Sequence, residues 1–118
     1  MTKVELTRFR IKKGKEEKAQ EWMDFLSDHH TDTVATMAGE KMYVESVFME
    51  KNPDGYTYFY RYSVQGEGGN AVEESESYID KKHLEYWDEC IDMEYKPVDM
   101  ELEESLVAPA VEKVIKEK

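Results

Sequence analysis

Along the chain the spacing of hydrophobic residues changes several times, and each change marks an element. The stretch VELTRFRI, from Val4 to Ile11, is rich in β-branched and aromatic residues and predicts a first strand. Alternation puts Val4, Leu6, Arg8 and Arg10 on one face and Glu5, Thr7, Phe9 and Ile11 on the other. Gly14, within KKGK, ends it. From about Lys15 to Met37 the residues Ala19, Trp22, Met23, Leu26, His30, Val34 and Met37 recur at spacings of three and four, which predicts an amphipathic helix with Gly39 as its C-terminal stop.

Residues 41–50 and 56–65 read as two strands joined by Asn52-Pro53-Asp54-Gly55. Pro presets the first central angle of a type I turn, and Gly accepts the left-handed position that follows, so the segment predicts a tight hairpin loop with a bulge. With Asn52 opposite Tyr56, Phe48 faces Tyr60, Ser46 faces Tyr62 and Val44 faces Val64. The opposite side carries Tyr43, Glu45, Val47, Met49, Phe59 and Arg61. Apolar bulk on both faces means that each must be covered by something.

Residues 66–70, GEGGN, read as a loop, with Asn70 and Glu73 resembling a helix-starting cap pair. Ile79, His83, Trp87 and Ile91 then recur every four residues with Cys90 beside them, predicting a second helix with a break near Asp80. In the segment from Tyr95 to Leu106, Val98, Met100, Leu102 and Leu106 are interleaved with acidic residues, which predicts a last strand. Beyond Pro109 the tail AVEKVIKEK suits a docked turn of helix or a frayed end. Residues 1–107 are therefore expected to form one domain and 108–118 a C-terminal tail.

This order of elements predicts an α+β domain. Its compact arrangement with right-handed crossovers is a ferredoxin-like βαββαβ four-stranded antiparallel sheet with two helices on one face and strand one beside strands three and four. The uncovered face is expected to hold Arg8 and Arg10 near Glu101 and Glu103, Arg61 diagonal to Glu45, and the apolar residues Val4, Leu6, Val47, Met49 and Phe59. That apolar load predicts a homodimer, the chain pairing with a second copy through its open sheet as a dimeric α/β barrel.

Composition narrows the function classes. One core fits in 118 residues, and a 40% hydrophobic content can build it. The formal charge of -11 repels phosphate backbones and anionic lipid, so neither nucleic acid nor membrane is an expected partner. Cys90 is the single cysteine, which excludes an internal disulfide and Cys-rich metal motifs and suits a buried, inert thiol. The N-terminus shows no signal-peptide core, and no apolar run approaches the roughly 20 residues of a membrane span; with reduced thiol usage this points to the cytoplasm.

His83 is the candidate catalytic residue, since an imidazole on a helix face towards a pocket can act as a base or a ligand. Its bland alternative is a satisfied core histidine. In Asp28-His29-His30-Thr31-Asp32 the adjacent imidazoles point about 100 degrees apart on a helix and cannot share one ion, so no metal site is expected, with His30 on the apolar side and His29 in water. Tyr56, Tyr58, Tyr60 and Tyr62 share one side of their strand, where they can line a pocket or simply pack. Glu45, Arg61, Arg8 and Glu101 read as ion pairs across the sheet, and the glycine-rich loop lacks the Lys and Ser or Thr of a phosphate-binding loop.

The stretches ELTRFRIKKGKEEKAQEWM, SVQGEGGNAVEESE and YIDKKHLEYWDECID together make the chain similar to an uncharacterised bacterial family of short proteins in the dimeric α/β-barrel superfamily, which includes antibiotic-biosynthesis-type monooxygenases and haem-degrading enzymes. The resemblance implies a pocket between sheet and helices served by a first-strand Asn, a Trp and a helix-two His. His83 matches that His, and Trp22 or Trp87 the Trp, with Tyr60 as a further wall. VELTRFRI holds no Asn. Two readings follow: a homodimeric module with no cofactor that binds a small ligand in a helix-side pocket, or a small cofactor-independent monooxygenase or haem-handling enzyme using His83.

Overall fold

The computed structural model describes residues 2–69 and 77–116. The elements run β1 (Lys3–Arg10), α1 (Glu16–Asp28), α2 (His30–Glu40), β2 (Met42–Lys51), β3 (Thr57–Gln65), α3 (Tyr78–Cys90), β4 (Val98–Asp99) and α4 (Pro109–Lys116). The strands form one antiparallel sheet in the order β2-β3-β1-β4, so the chain is α+β, with a four-stranded antiparallel sheet and four helices among the described residues. None of the described helices is long and apolar enough to cross a membrane.

The hairpin β2-β3 follows its turn. Gly55 sits at φ 87 with its N–H on Asn52 O at 3.0 Å, and Asn52 N–H donates to Tyr56 O at 2.9 Å. The register that results pairs Phe48 with Tyr60, Ser46 with Tyr62 and Val44 with Val64, as the turn predicts. Asp54 stiffens the loop further, accepting from Tyr56 N–H at 2.8 Å and from the Tyr58 hydroxyl at 2.5 Å.

Pairing of β1 with β3 then decides which face the helices cover. Phe9 lies opposite Phe59, so the odd-numbered residues of β1, of β3 and of β2 from Glu45 onwards share one face, to which the irregularity between Met42 and Val44 adds Met42. Phe9, Ile11 and Phe59 pack there against Ala19 and Trp22 of α1 and Tyr86 and Cys90 of α3, and each large apolar side chain so buried contributes roughly 1.5–3 kcal/mol. This corrects the expectation that Val47, Met49, Phe59 and the Glu45–Arg61 pair lie on the open face: they sit on the helix side. The open face instead carries Val4, Leu6, Arg8, Arg10, Val44, Phe48 and the even-numbered tyrosines of β3.

Three other expectations change. The first helix breaks at His29, whose φ of -108 and ψ of 33 are not helical, and α2 ends at Lys41 in the left-handed region at φ 56 while Gly39 stays within the helix. The Asn70–Glu73 cap lies outside the described residues; α3 runs unbroken through Asp80 from Ser77, whose hydroxyl accepts from Ile79 N–H at 3.2 Å. The last strand is only Val98–Asp99 rather than 95–106, extended by one bond from Met100 N–H to Leu6 O at 2.8 Å. Every residue from 98 to 114 is exposed, including Leu102, Leu106, Val111 and Val114.

The open face is not bare of polar contacts. Arg8 lies 3.7 Å over the Tyr58 ring and 3.6 Å from Glu50, while Arg10 pairs with Asp92 at 2.9 Å and lies 4.1 Å over Tyr56. The arginines thus pair with Glu50 and Asp92, and not with Glu101 and Glu103 as expected, because the chain leaves β1 before those residues reach it.

Candidate functional site

Two short backbone bonds seat α3 against the end of β1: Lys12 N–H donates to Cys90 O and Asp92 N–H to Arg10 O, both at 2.8 Å. This anchoring, with the four-residue repeat of Ile79, His83 and Trp87, turns His83 towards the sheet. Trp22, only 3% exposed, comes from α1 to meet it, and the Trp22 indole N–H donates to His83 Nδ1 at 3.0 Å. An acceptor Nδ1 carries no proton, so the ring proton of the neutral imidazole sits on Nε2. Burial pushes the His83 pKa below the ordinary histidine value and Arg61 adds to it, while Glu45 and Asp80 oppose. His83 is thus neutral and oriented.

A cavity of about 150 Å³ opens between α2, α3 and the hairpin, with Glu45, Arg61, Gln65, Asp80 and His83 as its principal polar lining and Leu26, Met37, Met42 and Ile79 as apolar wall. A smaller apolar space of about 30 Å³ continues from it, sharing Leu26, Glu45, Arg61 and His83 and reaching Trp22, Phe59 and Trp87. Arg61 grips one Glu45 oxygen through Nε at 2.9 Å and Nη2 at 2.6 Å. Gln65 donates through Nε2 to Glu40 O at 3.0 Å and closes one end. Asp80, 6% exposed, accepts no hydrogen bond and makes no salt bridge among the described residues. Ser63, between Arg61 and Gln65 on the same face of β3, is buried with its hydroxyl unpartnered.

A wider cleft of about 750 Å³ lies beside Lys12, Lys13, Tyr56, Asp88 and Asp92. It is an open groove without an imidazole, and its lysines are engaged: Lys12 Nζ donates to Asp88 O at 3.2 Å and Lys13 Nζ to Gly55 O. The smaller cavity is the better candidate because it combines enclosure, a perturbed titratable group and a buried carboxylate.

Residues 2–113 match the model of a family of unknown function, DUF6176. The chain belongs to that family. No curated protein and no solved structure matches it.

In this DUF6176 member, His83, Trp22 and Trp87 come together on the helix side, with Phe9 and Trp87 rings edge to face at 4.6 Å. Tyr60 does not join them. It sits on the open face, its hydroxyl donating to Glu50 at 2.9 Å, because even-numbered residues of β3 point away from the helices. His29 and His30 exchange their expected places: the helix break turns His29 inward, Nδ1 lying 2.9 Å from Phe25 O, and leaves His30 exposed. Among the described residues no group of three potential metal ligands forms. Cys90 is fully buried, and burial raises its pKa, which suits an inert thiol.

Asp80 was legible in the sequence only as a helix residue. The signal that could have found it is the Ser77-x-x-Asp80 spacing, which sets a helix start at Ser77 and thereby puts Asp80 one turn before His83.

Proposed function

We propose that the chain is a ferredoxin-like subunit that pairs with a second copy through its open sheet face, as a dimeric α/β barrel, and binds a small ligand in the helix-side cavity around His83. The observation that carries this reading is the difference between the two faces of the sheet. Helices close one face over a small cavity lined with polar groups. The other leaves Phe48 60% exposed and Val44 42% exposed on the β2 edge, and Val98 and Met100 exposed at the opposite, β4 edge. Apolar side chains exposed at both edges of an uncovered sheet face suit an interaction surface, and a second copy presents a matching sheet.

The pairing is tested by multi-angle light scattering at micromolar concentration, where the dimer has twice the 13.9 kDa mass of the chain. Phe48→Glu is expected to return it to one chain without loss of helix signal, and a parent mass of one chain overturns the pairing. The ligand is tested by a high-resolution structure of the protein as purified, in which density beside His83 is expected.

A second reading is the small oxygenase or haem-handling enzyme, favoured by the neutral, Trp-oriented His83. Hemin titration separates it: a shifted Soret band that His83→Ala removes supports a haem role, and an unshifted band ends it. A cavity of about 150 Å³ favours the small ligand.

A further inference from the structure

The polar lining of the helix-side cavity carries more negative than positive charge, with the carboxylates of Asp80, Glu45 and Glu40 against the one guanidinium of Arg61. Gln65 has its amide nitrogen on Glu40 O, which leaves its carbonyl as the available end. Thr33 and Thr36 donate their hydroxyls to His29 O at 2.8 Å and Thr33 O at 2.7 Å, so only their lone pairs remain. Asp80, a residue 6% exposed, turns to the cavity a carboxylate that receives no hydrogen bond among the described residues, and Glu45 supplies a second carboxylate. On the donor side, Arg61 gives two of its five N–H groups to one Glu45 oxygen and keeps three, and His83 offers one N–H. A buried acceptor without a donor is costly, and a buried carboxylate more so, unless a cation satisfies it.

Resting on the reading that this cavity binds a small ligand, we propose that its ligand is a small organic cation, a primary ammonium whose N–H groups meet Asp80 and Glu45. An ammonium carries three donors, no acceptor and the positive charge that this surplus of carboxylates lacks. An anion would meet three carboxylates and one guanidinium whose charge Glu45 already offsets. The volume of about 150 Å³ holds about five groups of water size at about 30 Å³ each, so the organic part is a short chain, lying towards the apolar space beside Leu26, Trp22 and Phe59.

The test uses the full chain and three probes of equal length: n-butylammonium chloride, sodium butyrate and 1-butanol, at matched ionic strength and neutral pH. Binding is followed by the His83 ring resonances and Trp fluorescence. The expected result is a saturable His83 shift with butylammonium, at least tenfold weaker in Asp80→Asn and in Glu45→Gln, and no saturation with butyrate. Saturation by butyrate or butanol in preference to butylammonium overturns the cation and leaves the pocket standing. Silence of all three probes at His83 overturns both, as parent-like binding in both variants overturns the cation. Where a variant fails to fold, the ranking of the three probes on the parent decides.

Discussion

Replacing Trp22 with Phe probes the contact on which the site is built. The substitution keeps an aromatic ring among Phe59, Tyr86 and Trp87, whose centroids lie 6.0, 6.4 and 6.1 Å from that of Trp22, and removes the donor that holds His83 Nδ1 at 3.0 Å. The lost hydrogen bond contributes about 1 kcal/mol, and the acceptor stranded in a dehydrated site costs about 1–3 kcal/mol more. Loss of the five-membered part of a ring only 3% exposed adds a small void, so the sum is about 2–5 kcal/mol. Urea unfolding of the parent, Trp22→Phe, His83→Leu and the double variant, all at one protein concentration, isolates the pair. The coupling is expected at about 1–2 kcal/mol. Freed of its donor, His83 is also expected to titrate closer to its ordinary value in NMR. Additivity within about 0.3 kcal/mol, with an unchanged His83 titration, would refute the reasoning.

Three further outcomes are expected. Because the folded-state pKa of His83 lies below its unfolded value of about 6.5, the unfolded chain takes up a proton that the folded chain refuses as pH falls below about 6.5. Stability is therefore complete above that pH and declines beneath it, and urea midpoints measured from about pH 8 down to about pH 5 should show a slope that His83→Leu flattens. Phe59→Ala, at a centre only 4% exposed between Phe9 and Trp22, should cost about 3–5 kcal/mol by the same unfolding measurement, and a loss below about 1 kcal/mol would place Phe59 outside the core. Arg8→Met should cost about 1–2 kcal/mol through loss of the guanidinium 3.7 Å over Tyr58, with little dependence on added salt; a loss that 1 M salt abolishes would assign it instead to the Glu50 pair.

What can be read from the sequence here is what short-range chemistry decides. Pro53 and Gly55 admit one turn, and the turn sets every cross-strand pair from Lys51–Thr57 to Val44–Val64. The four-residue repeat puts Ile79, His83 and Trp87 on one face of α3, while its cap, Ser77, was not read from the sequence. Which face of the hairpin the helices cover is another matter. Val47, Met49 and Phe59 look as apt for one side as Phe48 and Tyr60 for the other, and only the pairing of Phe9 with Phe59 settles it.

The same division holds at the end of the chain and at the site. Residues 95–106 carry a strand-like spacing of apolar residues, but a strand needs a neighbour, and past Met100 the chain has left β1. His83 was visible as a candidate from its spacing alone. Its state was not, since the donor that fixes its tautomer stands 61 residues away on another helix. Nor could the sequence give the burial of Asp80 over a cavity: the Ser77 spacing places it in a helix's first turn, and the rest of the cavity wall comes from distant segments. Periodicity and turns act over a few residues, and the sequence by itself determined what they control. Burial, tautomer and cavity arise where distant segments meet, and only the tertiary structure decided them.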